Sequence, residues 1–144
     1  MDLFAEDSLE FLFSKVIKLH HDQIRKSLRK IGLYKGQPFI LFALNERDGL
    51  AQKELAEKVH IKCASLSVII RRMEKAGIVE RRKDPDDLRV SRVYLTEEGR
   101  NILVKVEEKM KAVKQECFKG FTQEERVLLR RFFLQMSKNL SDGE

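Results

Sequence analysis

Two helices three residues apart, two strands around a basic loop, and three further long helices with apolar faces predict the fold class. It is mainly α, an α+β winged helix-turn-helix unit with helices before and after it. A chain of 144 residues suits one such unit with helical extensions.

Each element has its own signature. Leu9, Leu12, Phe13, Val16, Ile17, Ile24, Leu28 and Ile31 keep helical spacing, so a long first helix ends near Gly32. Pro38 sits where a first-turn proline is tolerated. The dense apolar run Phe39 to Leu44 fits a strand on composition. It has one β-branched residue, Ile40, so a short buried helix is preferred, followed by a turn over Asn45 to Gly49. A third helix covers residues 52–59, with Leu55, Ala56 and Val59 inside. His60, Ile61 and Lys62 break the chain.

The fourth helix runs to about Ala76, with Leu66, Ile69, Ile70 and Met73 as a continuous stripe, and Gly77 stops it. Ile78 to Arg82 and Arg89 to Leu95 read as strands around the charged loop Lys83 to Leu88. Thr96 caps a fifth helix with Glu97 and Glu98 in its first turn, and Ile102, Leu103, Val106, Met110 and Val113 form its buried stripe. After Gly120, Thr122 to Glu125 make a capping box that opens a sixth helix, which carries Leu128, Leu129, Phe132, Phe133 and Met136. The tail from Ser141 is expected to be loose.

Charge narrows the function. The net charge is +6, which favours a polyanionic partner. Residues 62–92 hold nine Lys/Arg against five acids, whereas 96–144 hold ten against nine. In a winged helix-turn-helix the second helix of the pair enters the DNA major groove. Lys62, Ser65, Ser67, Val68, Arg71 and Arg72 are therefore candidate DNA contacts: short hydroxyls approach closely, and arginine bridges a guanine or clamps a phosphate. Arg82, Lys83 and Arg89 on the hairpin are candidates for the backbone or minor groove. A winged unit of about 60 residues cannot cover three long amphipathic helices. A two-fold homodimer solves this, and it implies an inverted-repeat site on double-stranded DNA. The expected division is 1–35 and 97–144 for dimerisation and 36–96 for DNA binding.

Other classes fare worse. No apolar run reaches the roughly 18 residues of a membrane helix. The acidic start carries no basic residue before Lys15, so no export signal is read and the cytoplasm is expected. Two cysteines form no disulfide framework. There is no phosphate-cradling glycine loop, nucleophile motif or metal spacing, so neither an enzyme nor a bound cofactor or metal is expected. Adjacent His20 and His21 diverge by about 100° on a helix and cannot share one ion. A winged-helix module for protein contacts needs a neutral or acidic recognition face, and this face is basic.

The sequence also resembles the MarR (multiple antibiotic resistance regulator) family over residues 8–140. Gly77-Ile78-Val79-Glu80-Arg81-Arg82, Asp84 through Arg89, and Leu95-Thr96-Glu97-Glu98-Gly99 carry the likeness, and Gln52 to Ala56 resembles the family's first DNA-reading helix. The resemblance implies a homodimeric, ligand-responsive regulator, usually a repressor. It marks Asp87 and Arg89 as the wing signature. Asp87 is expected to orient the wing by pairing with a nearby arginine, with Arg71 or Arg72 as the candidate. It implies an effector pocket for a small phenolic or apolar anion, with His20, Ile24, Phe39 and Phe42 as lining and Arg25 for a carboxylate. Core packing is the better reading for the two phenylalanines.

Three positions depart from the pattern: His60 replaces a usual glycine, Val68 a usual arginine, and Lys62-Cys63 a usual hydroxyl cap. The cap is then weak, or Ser65 serves further in. A thiol at a helix start beside Lys62 makes a redox-responsive regulator the alternative. A small packed thiol is the plainer reading of Cys63, and Cys117 reads as core.

Overall fold

The computed structural model describes residues 5–141. In chain order it contains α1 (Leu9–Arg29), α2 (Gln37–Glu46), β1 (Leu50–Ala51), α3 (Gln52–Val59), α4 (Cys63–Lys75), β2 (Val79–Lys83), β3 (Ser91–Leu95), α5 (Glu97–Cys117) and α6 (Gln123–Ser141).

The helix boundaries follow local chemistry. The Phe11 N–H donates to Ser8 Oγ at 3.1 Å, which opens α1, and Gly32 at φ 81° turns the chain after it. Gly36, left-handed, precedes α2, and Pro38 lies in its first turn. Phe39 to Leu44 are helical, with Ile40, Leu41, Ala43 and Leu44 buried. His60 takes φ 54° and is the one non-glycine residue with positive φ among the described residues. The Gly99 N–H donates to Thr96 Oγ1 at 3.0 Å and caps α5. The capping box at α6 closes both ways: Glu125 N–H to Thr122 Oγ1 at 3.1 Å and Thr122 N–H to Glu125 Oε2 at 2.9 Å.

The sheet departs from expectation. It has three strands in the order β1-β3-β2, all antiparallel. The expected turn over Asn45 to Gly49 is shorter, because Asn45 and Glu46 finish α2, and β1 follows it. A two-residue strand has no periodicity to read. It forms because Gly49 N–H donates to the Val93 carbonyl at 3.0 Å and Leu95 N–H donates to Asp48 Oδ1 at 2.9 Å. Val79 pairs with Leu95 and Lys83 with Ser91, so β3 starts two residues later than predicted. Arg89 consequently belongs to the loop.

Leu41, Leu44, Leu55, Leu66, Ile70, Met73, Val93 and Val106 are fully buried, drawn from α2, α3, α4, β3 and α5. Gly99 lets α5 approach β2 closely, since a β-carbon there would sit 2.2 Å from the Ile78 carbonyl oxygen. The core stops at Val106. Met110, predicted to be buried, is exposed, and Val113 is only half-buried, because α5 runs on past the winged unit. Cys117, predicted as core, is exposed for the same reason. α6 buries no residue at all. Of the tail expected to be loose, Ser141 ends α6 and the rest lies outside the described residues.

Candidate nucleic-acid interface

Burial of Leu66, Ile70 and Met73 fixes the orientation of α4. Residues at 100° steps then place Ala64, Val68, Arg71 and Lys75 on the outermost face, all exposed. Ser65 and Arg72 flank that face on one side and are also exposed. Ser67 lies on the other side, half-buried, and its Oγ accepts from Gln52 Nε2 at 2.5 Å. It therefore ties α4 to α3, contrary to its expected place on the open face. Ala64 and Lys75 were missed. Ala64 offers no polar signal, whereas Lys75 follows from Arg71 by helical spacing.

Arg71 and Arg72 separate cleanly. Arg71 aligns with Val68. Arg72 turns toward the α1–α2 connection, where it lines a cleft with Gly32, Tyr34, Gln37, Ala76 and Ile78. Lys62 is the N-cap residue of α4 and makes no side-chain cap, and no hydrogen bond from Ser65 replaces it. Cys63 is exposed at the start of the helix, not packed as its plainer reading held.

The wing is held by carboxylates. Arg89 donates through Nε to Asp87 Oδ1 at 3.0 Å and through Nη2 to Oδ2 at 3.1 Å, and its own backbone N–H reaches Oδ1 at 3.1 Å. The expected partner of Asp87, Arg71 or Arg72, is thus replaced by Arg89 two residues away. This forked pair and then the backbone N–H hold the Asp87 carboxyl below the usual carboxylate range. The Arg89 side chain is still 91% exposed, so its aliphatic stem and remaining donors face outward. Arg82 pairs with Glu80 and lies over the Tyr94 ring at 4.4 Å, while the Lys83 side chain is exposed and makes no ion pair among the described residues.

Two positioning residues escaped the sequence reading. Asp84 is nearly buried. It accepts from Arg92 Nε at 2.6 Å and from the backbone N–H groups of Asp86 at 2.8 Å and Asp87 at 3.3 Å. Arg92, foremost, and then the Asp86 N–H hold its carboxyl below the usual range. Arg92 Nη1 also donates to the Gly49 carbonyl at 3.0 Å, which joins the wing base to the turn before β1. Asp-Pro-Asp is a turn signal, and a carboxylate binding N–H groups two and three residues on was readable there.

A third feature lies outside the winged unit. Residues 23–45 contain Arg25, Lys26, Arg29, Lys30 and Lys35 and no acidic residue. Arg25 pairs with Asp22, and all five basic residues are exposed.

The predicted effector residues do not converge. His20 is exposed, Ile24 and Phe42 are half-buried against the core, and Arg25 is engaged by Asp22. Phe39 is 64% exposed, against the core reading. None of the five lines the cleft at Arg72 or the shallow cleft along α6 at Val127 to Lys138. Among the described residues no group of His, Cys, Asp and Glu is placed to hold a metal ion, and no helix is long and apolar enough to cross a membrane.

A helix pair with a basic outer face, followed by a two-stranded wing, defines the winged helix-turn-helix class of DNA-binding transcriptional regulators. Comparison with known proteins narrows this. Residues 33–91 match the model of the MarR family. YsmB of Bacillus subtilis, an uncharacterized HTH-type transcriptional regulator, is 33% identical over 87 residues, which is 60% of this chain and 60% of that relative, so the match spans less than two thirds of its length. The HTH-type transcriptional repressor IacR of Pseudomonas putida is 26% identical over 140 residues, 96% of this chain and 84% of the relative. The structure of a MarR family protein from Bacillus stearothermophilus superposes with a TM-score of 0.77 at 26% identity, covering 92% of this chain and 93% of that one. The chain is thus similar to the MarR family across its winged unit, and the relatives it matches are transcriptional regulators by name.

Proposed function

We propose that the protein is a homodimeric transcriptional repressor that reads an inverted-repeat operator in the cytoplasm. The observation that carries this reading is the outer face of α4 beside the wing: Val68, Arg71 and Lys75 exposed in one line, with Arg89 projecting from the loop. Val68 offers an apolar contact to a thymine methyl, Arg71 reaches a guanine or a phosphate, and Lys62 with the uncapped start of α4 meets a phosphate. Ser65 and Arg72 flank these contacts, and Ser67 supports them through Gln52. Arg82 and Lys83 take backbone phosphates beside the wing, and Arg89, oriented by Asp87, enters the minor groove.

Residues 36–96 form the DNA-reading part, and 1–35 with 97–144 join two copies. A repressing role is supported by the similarity to IacR, a repressor by name. A small phenolic or apolar anionic effector would bind beside α1 and α2, where His20, Ile24, Arg25, Phe39 and Phe42, which do not converge within one chain, would form a site only with a second copy. The exposed Phe39 ring supports that placement, and a second copy would complete the walls.

Selection from a randomised duplex pool tests this. The expected product is an inverted repeat with half-sites about ten base pairs apart. Arg89→Ala should bind it roughly ten- to a hundredfold more weakly at physiological salt. No enriched sequence would end the operator reading, and an unchanged affinity for Arg89→Ala would remove the wing from it.

A further inference from the structure

We infer that the C-terminal end of α1 and the connection to α2 form a second phosphate-binding surface, which extends the DNA contact beyond the helix-turn-helix and the wing. The inference rests on the DNA-binding reading above.

Uncompensated charge is the first observation. Lys26, Arg29, Lys30 and Lys35 are exposed and make no ion pair among the described residues. An ordinary solvated helix does not look like this. α5 carries five basic and five acidic residues in its 21 positions, whereas residues 23–45 carry five basic and none acidic. The helix dipole favours cations in a last turn, which accounts for Lys26 and Arg29. Lys30, the C-cap residue, shares that explanation, but Lys35 in the connection to α2 does not.

Continuity with α4 is the second, and it is what selects DNA over another polyanion. Arg72 of α4 and Tyr34 of the connection line the same cleft. That cleft, about 250 Å³, is smaller than the usual ligand pocket, so it joins two surfaces better than it holds a molecule. The basic run therefore begins where the flank of the DNA-reading helix ends. Lys26 and Lys30 lie about 6 Å apart along the helix axis, which matches roughly two phosphates of one strand. The contact carries no sequence information, so it strengthens operator and non-operator binding alike.

Salt titration of DNA binding tests this. Affinity for the selected operator and for a scrambled duplex is measured against salt for three proteins: wild type, the triple variant Lys26→Gln/Arg29→Gln/Lys30→Gln, and a control with the same charge loss on α5, Lys105→Gln/Lys109→Gln/Lys111→Gln. Thermal melts and sedimentation check that both variants fold and keep the wild-type assembly state. If each protomer of the triple variant neutralises two phosphates fewer, the log–log slope of a dimer should become shallower by roughly 3–4, on both duplexes, with the operator preference retained. The α5 control should keep the wild-type slope. A triple variant that matches wild type or the control overturns the inference while leaving the operator reading intact, provided Arg89→Ala still weakens binding. Absence of salt-dependent DNA binding by the wild type overturns both.

Discussion

At the scale of single residues, the wing depends on two carboxylates with different tasks. Asp87 aims Arg89, and Asp84 closes the loop and anchors it through Arg92 to Gly49. Both carboxyls sit below their ordinary value of 3.8 in the folded protein. A lowered folded value means that the contribution to stability is complete above the unfolded value. It is lost as pH falls through the lowered folded value. The wing is therefore indifferent to pH across the neutral range and fails only in acid. Urea unfolding of wild type and Asp84→Asn at several pH values checks the sign. The variant should be less stable by a constant amount from pH 8 to pH 5, with the gap closing below about pH 4. A gap that changes between pH 8 and pH 5 would mean that some other group governs the wing. The bond from Asp84 to Arg92 spans eight residues and crosses the hairpin, so no local pattern announces it, whereas the Asp87–Arg89 spacing is visible in the string.

At the scale of elements, legibility followed length and periodicity. The eight residues of α3 were read to the residue, because Leu55 and Ala56 face the core and His60 ends the helix. The stripe of α4 was equally clear. β1 escaped because two residues carry no alternation, and only the partner strand β3 gives them a structure. The start of β3 at Ser91 was misplaced because hydrogen bonds from Asp84 hold residues 84–90 as a loop. On α4, the exposure of Val68 and Arg71 on the outer face was legible from helical spacing, but Ser67 was misplaced because its partner, Gln52, belongs to another helix. The α3–α4 turn offers a direct test. His60 occupies left-handed space that glycine enters freely, at a cost that histidine tolerates better than most residues. His60→Gly should raise unfolding stability by about 0.5–1 kcal/mol, less the entropy that a glycine adds to the unfolded chain. Denaturant titration reads this, and a loss of stability would show that the imidazole makes a contact worth more than the strain.

At the scale of the whole molecule, exposed apolar surface is unevenly spread. Among the described residues 20 large hydrophobic side chains are exposed, six of them on α1 and seven on α6. Leu9 is 79% exposed, Val16 54%, Val127 61% and Leu140 79%. Scattered exposed leucines are ordinary, but a concentration on the two terminal helices is not. A helix such as α6, which buries nothing within its own chain, has no internal source of tertiary stability, and isolated helices of this length are marginal in water. The same helix is capped at its start by a reciprocal Thr122–Glu125 box, so the chain specifies it closely even though Leu129 is its one residue that is even half-buried among the described residues. A second copy that brings its own α1 and α6 resolves this contradiction, and a two-fold arrangement lets identical faces meet. Sedimentation should then give a mass near twice 16.9 kDa. The unfolding temperature should rise with protein concentration, since folding and association are linked. Replacing Phe133 and Leu134 with glutamate should lower both mass and melting temperature while the winged unit, with its own core around Leu55, Leu66 and Val93, keeps its fold. A wild-type chain that sediments as a stable monomer at micromolar concentration, with a melting point independent of concentration, would leave α6 without a reason to be helical and would sink the dimer.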